Sequence, residues 1–148
     1  MIDKILETGI KETQKFLEFW TKFNELYKSA ISQGENAKAS IEMFITTREL
    51  VNTRFEELMD FLGVSRAERM SKCYPIYSIL ALDDFRAMSD DKISNMNDCW
   101  TESFIYLYGI LNKMRRKKKR IEKFNGFFFL AKRLFIKGGK NDKKRNSP

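Results

Sequence analysis

The chain reads as an all-α helical bundle: an antiparallel hairpin of two long helices, a broken-helix segment, a third long helix and a basic C-terminal tail. Three observations predict this. Apolar residues recur at steps of three and four along most of the chain up to Met114. Only two prolines and seven glycines punctuate 148 residues, too few for the many tight turns of a β architecture. A chain of this length with 43% hydrophobic residues can bury a core in a single domain.

The first helix is predicted over residues 2–31. Leu6, Gly9, Thr13, Phe16, Trp20, Phe23, Tyr27 and Ala30 form its inward seam, while Lys11, Lys15, Glu18, Lys22 and Glu25 fall outside it. Ser32–Asn36 reads as a connection, with Gly34 free to take the left-handed conformation and Asn36 placed to cap the next helix. That second helix, about 37–62, carries Ile41, Phe44, Arg48, Val51, Phe55, Leu58 and Leu62 at the same spacing. A short connection between two such helices makes an antiparallel hairpin. With the turn near Gly34, Arg48 falls opposite Trp20, where it is expected to snorkel, to pair with a first-helix glutamate or to lay its cation over the indole face.

Gly63-Val64-Ser65 interrupts the pattern, and Ser65 and Glu68 have capping-box spacing for a short helix. Pro75 forces that helix to fail near Tyr74, and a second short piece is expected over 76–87. Ser89 is the next cap, with Asp90 and Asp91 in the first turn, where the helix dipole favours anions. The last long helix, about 92–124, has Ile93, Met96, Trp100, Phe104, Leu107, Leu111 and Met114 on its inner face. Gly138-Gly139 is expected to end order, leaving three parts: a body (1–114), a basic-aromatic segment (115–137) and a flexible basic tail (138–148).

Charge separates these parts sharply. Up to Asn112 there are 13 Lys/Arg against 18 Asp/Glu, net −5; from Lys113 onward there are 15 against two, net +13. A mildly acidic body is thus joined to a tail that seeks an anionic partner. Helix-dipole complementarity accounts for two or three such cations, not for Arg115, Arg116, Lys117, Lys118, Lys119 and Arg120 in succession. Six consecutive residues cover every direction around a helix, so no face there suits a core. Behind them Lys123, Lys132, Arg133 and Lys137 alternate with Phe127, Phe128 and Phe129. The apolar residues of 124–136 either fold back on the bundle or meet an apolar partner.

Catalytic and cofactor signals are absent. With no histidine, the commonest general base and metal ligand is missing, and neither GxxxxGK[ST] nor GxGxxG occurs. Ser89-Asp90-Asp91-Lys92 matches SxxK, but capping explains each residue. Asp83-Asp84 and Asp90-Asp91 lack a calcium-loop pattern, so no metal or cofactor is expected. Cys73 and Cys99 form no framework and read as buried free thiols of a reducing compartment. Acids near the N-terminus and the lack of any apolar run of about 20 residues argue against a secretory signal and a membrane span, which points to a cytoplasmic location.

The basic-aromatic stretch resembles in composition the polybasic-aromatic effector segments of the MARCKS type, and the aromatic-seamed hairpin is similar to small helical proteins that coat storage granules. The expectation is a non-enzymatic interaction protein docking on an anionic membrane or lipid-granule surface, with a protein partner or self-association through its helix faces as a further option. The principal alternative is nucleic-acid binding through the same tail. A helical-bundle enzyme or metal-binding protein is the distant one.

Overall fold

A computed structural model describes the backbone of residues 2–32, 37–85 and 88–145, and the side chains of 4–32, 37–85 and 88–134. The order is α1 (Ile2–Ser32), α2 (Lys38–Phe61), α3 (Arg66–Lys72), α4 (Tyr74–Leu80) and α5 (Asp90–Arg145), with no strand among the described residues. The all-α bundle is the observed fold.

The seam of α1 is buried from Gly9 to Ala30 as its spacing predicts, with Leu6 half-buried. It packs antiparallel to α2: the Phe23 and Phe44 rings stack at 4.4 Å, and Phe16 meets Phe55 at 5.8 Å. The expected Gly34 turn and Asn36 cap lie outside the described residues. Ala37 holds the N-cap position of α2 and makes no side-chain cap bond. At its other end α2 closes in a Schellman motif. Gly63 takes φ 72°, and the amides of Val64 and Gly63 donate to the carbonyls of Met59 (3.0 Å) and Asp60 (3.1 Å).

Ser65 caps α3 by accepting from the Glu68 amide at 3.2 Å. Pro75 sits in the first turn of α4, so the break comes at Cys73, one residue before the expected place. The helix predicted over 76–87 ends earlier, at Leu80. Asp83 and Asp84 would stand at the negative end of its dipole, and the Leu82 carbonyl is taken by Arg48 (Nη1 to O, 2.7 Å). That bond also corrects the reading of Arg48: it ties α2 to the α4–α5 connection and does not lie on Trp20. Among the described residues, the cation over a ring is Arg54, 5.1 Å from the Phe19 centroid.

Arg69, unremarked in the sequence pattern, clamps α3 onto α2. Its guanidinium donates to Glu56 (2.7 Å), Asp60 (2.6 Å) and the Val64 carbonyl (3.0 Å). The bond to Asp60 is the main reason its pKa is raised above the usual arginine value. Tyr77 extends the clamp by donating to Glu56 at 2.7 Å; burial, then this bond, push its hydroxyl up to about 12.

Ser89 caps α5 by accepting from the Lys92 amide at 3.2 Å, which accounts for the SxxK match. α5 runs antiparallel to α1. The Trp20 and Trp100 rings meet at 4.9 Å, and Trp20 Nε1 donates to Ser103 Oγ at 2.9 Å. Ser103, not the expected Phe104, therefore occupies the interior position, because a buried indole N–H needs an acceptor; Phe104 is half-buried. Gly9 allows the close approach further along: a Cβ there would sit 3.2 Å from Met114 Sδ.

α5 continues well beyond the expected end near 124. It crosses the boundaries placed at 114 and 138 without a break, and Gly138 and Gly139 lie within it. Good helix formers and the absence of proline from 113–145 explain the continuity better than the two glycines oppose it.

Candidate functional site

The seam that binds α5 to α1 continues past the body. Trp100, Ser103, Leu107, Ile110, Met114, Lys117, Ile121, Phe124, Phe128 and Ala131 step three and four without a slip. Trp100, Ser103 and Leu107 are buried, Ile110, Met114 and Ile121 half-buried, and Phe124 and Phe128 exposed. Contact with the body reaches Lys118, whose Nζ lies 3.4 Å from Glu7 of α1. From Glu122 to Leu134 every side chain is exposed, so these residues project as an overhang and do not fold back.

Within the basic run, Arg115, Arg116, Lys117, Lys119 and Arg120 are exposed, and Lys118 is half-buried between Glu7 and Glu122 (4.0 Å). The run thus begins beside α1, before the helix has left the body. Lys123, Phe127, Phe128, Phe129, Lys132 and Arg133 are all exposed; the Lys137 side chain lies outside the described residues. The rings of Phe124 and Phe128, one turn apart, stack at 6.4 Å.

At about 100° per residue, Ile121, Phe124, Phe127, Phe128, Ala131 and Leu134 occupy one arc of about 140°. Lys123 and Lys132 stand at its two edges, and Lys119, Glu122 and Arg133 lie on the far side. Phe129 and Leu130 fall outside the arc. Phe124 and Leu134, at 67% and 70% exposure, belong to this face as fully as Phe127 and Phe128. Sequence reasoning noted them but did not place them in the site. Carrying the helical period through 121–134 would have found them.

No helix among the described residues is long and apolar enough to cross a membrane, and no group of three His, Cys, Asp or Glu side chains among them converges as a metal would need. Both thiols are unpaired. Burial pushes both up, most plainly at Cys73, which is buried and hydrogen-bonded with Tyr106. Such thiols are poor nucleophiles.

No protein-family model matches the sequence, and neither a curated protein nor a solved structure matches it.

Proposed function

We propose that this is a non-enzymatic, cytoplasmic interaction protein that docks on an anionic membrane or lipid-granule surface through the overhanging part of α5. The observation that carries the reading is the apolar arc from Ile121 to Leu134, half-buried at Ile121 and exposed from Phe124 onward, edged on both sides by lysine. A helix lying in a lipid interface needs an apolar face of this width, with cations placed to snorkel to the headgroups. Each Lys or Arg near an anionic surface contributes about 1 kcal/mol, and the rings add an apolar term that salt does not screen.

Nucleic acid is the second reading, favoured by exposed Arg115, Arg116, Lys117, Lys119 and Arg120 and by exposed Phe129, which lies off the arc. The arc weighs against it, because Ile121, Ala131 and Leu134 offer nothing to a base. Binding of the intact chain to vesicles with and without phosphatidylserine, and to single- and double-stranded DNA, separates the two. The membrane reading expects anionic vesicles to bind and to retain part of their affinity at high salt. Preference for DNA, with a log–log salt slope of about −0.7 to −0.9 per phosphate contacted, would replace it.

A further inference from the structure

The overhang cannot be laid on a flat surface by itself. α5 passes from body to overhang without a break and holds no proline to kink it, so its period carries across the junction. Eighteen residues make about five turns of helix. Phe124 is therefore in line with Tyr106, Phe127 with Gly109 and Leu134 with Arg116. The Tyr106 side of α5 is the side on which α4 packs, because Tyr106 hydrogen-bonds with Cys73, the residue that opens α4. Cys99 meets Ser78 two turns back along α5, so α4 runs antiparallel to it and Tyr74 stands level with Ile105. Packed helix axes lie about 8–10 Å apart, so α4 projects by about that much in the direction the arc faces. A surface that receives the arc meets α4 as well.

We propose that α4 and the adjoining side of α5 form a second lipid contact, which enters an anionic interface together with the arc. The inference rests on the docking reading and names the part of the body that it engages. Tyr74 stands about 140–160° around α4 from Ile76 and Ile79, which are buried, so its ring points away from the core and is 70% exposed. Ile105 is 67% exposed. A ring with an apolar body and a polar tip, level with an aliphatic chain, suits the boundary between acyl chains and headgroups.

Charge selects the occupant and limits the contact. Exposed Lys113 and Arg116 lie between this pair and the overhang, where headgroup phosphates would meet them. On α3, Lys72 and Glu68 pair at 3.2 Å and offset each other. Beyond Ile105, on the same side of α5, exposed Glu102 and Asp98 are repelled by an anionic surface, so the contact ends there. A nucleic acid would use the cations and leave Ile105 without a partner. A second copy's overhang would bring like charge against Lys113 and Arg116.

The test is methyl NMR of the full-length chain on phosphatidylserine-containing bicelles that carry a paramagnetic headgroup lipid. The expected result is strong broadening of both Ile105 and Leu134 methyls, at least threefold greater than at Leu50, which is exposed on α2. Affinity for phosphatidylserine vesicles should fall at least fivefold in the Tyr74→Ser, Ile105→Ser double variant, with an unchanged melting midpoint. It should stay within twofold in Met43→Ser, Leu50→Ser and rise at least twofold in Glu102→Lys. Broadening of Leu134 with Ile105 as sharp as Leu50 overturns the second contact and leaves the docking reading standing. Equal losses in the two serine double variants also overturn it. A parent chain that does not bind the bicelles overturns the docking reading, and this contact with it.

Discussion

The two halves of α5 contain the same kinds of residue in opposite circumstances. Trp100 is buried among Trp20, Phe23 and Tyr27, with centroids 4.9–5.7 Å away, while Phe124, Phe127, Phe128 and Phe129 stand 61–72% exposed. Helix type, period and aromatic content do not distinguish the halves. What differs is the presence of α1 opposite the first half. Burial in this chain is decided by which neighbour the topology supplies, and a seam of one period becomes core in one place and exposed surface in the next. The basic residues differ in the same way. In the body Arg48 and Arg69 are committed to carbonyls and carboxylates, whereas Arg115, Arg116 and Arg120 face outward.

The sharpest way to break this contrast is to remove one half. Truncation after Lys118 should reduce affinity for anionic vesicles more than 100-fold while shifting the melting midpoint by no more than about 2 °C. A collapse of the body on truncation would mean that the overhang serves the core after all. Next in size is Trp20→Ala, which should cost about 3–5 kcal/mol by denaturant titration and leave vesicle affinity of the folded protein unchanged.

Arg48→Met should cost about 1.5–3 kcal/mol, because it leaves the Leu82 carbonyl without its charged donor, whereas Arg116→Met should stay within about 0.5 kcal/mol. Comparable costs for the two would erase the distinction between committed and outward-facing cations. Within the overhang, Phe128→Ser should weaken vesicle binding about tenfold at high salt and Phe129→Ser less than threefold, since only Phe128 lies on the arc. Equal losses would show that the helix does not lie on one face.

The smallest effect concerns pH. Burial, and then nearby Cys99, raise the Tyr27 phenol to about 12 from an unfolded value near 10. The unfolded chain therefore ionises first. Stability from this group is complete below pH 10 and declines as pH rises from 10 to 12. Melts at pH 8, 10 and 11.5 should show that decline, reduced in Tyr27→Phe. Among the described residues the Tyr27 hydroxyl has no hydrogen-bond partner, so this variant should also be neutral or slightly stabilising at pH 8.

Much of this body was legible from spacing. The α1 seam needed no correction, because Gly9, Thr13 and Trp20 sit in an unbroken period and each faces a neighbouring helix. Ser65 and Ser89 were recognisable because capping is a local matter of one hydroxyl and one amide. Arg48, Arg69 and Ser103 were misread or passed over because their partners are tertiary. A Leu82 carbonyl, a Glu56–Asp60 pair and an indole N–H are not adjacent in sequence to the side chains that satisfy them. In the tail, the basic residues were visible as a run, but the face formed by Phe124, Phe127, Phe128 and Leu134 appears only when the period is carried through it. Gly109 was unreadable for another reason. A glycine inside a helical pattern signals a cost, and only the neighbouring surfaces show that a Cβ there would meet nothing within 4 Å.

The bond from Trp20 to Ser103 spans 83 residues of chain. Loop closure of that length is entropically dearer than pairing across the short α1–α2 connection, so the hairpin assembles first and α5 arrives last. During synthesis at about 5–20 residues per second, Trp20 waits roughly 4–17 s for its acceptor to be made. Through that interval Phe44 and Phe55 of α2 already cover Phe23 and Phe16, while the Trp20 face that meets Trp100 and Ser103 still lacks its partner. A nascent chain of this protein is therefore at its most adhesive between completion of α2 and emergence of α5, which is the window in which chaperone occupancy should peak.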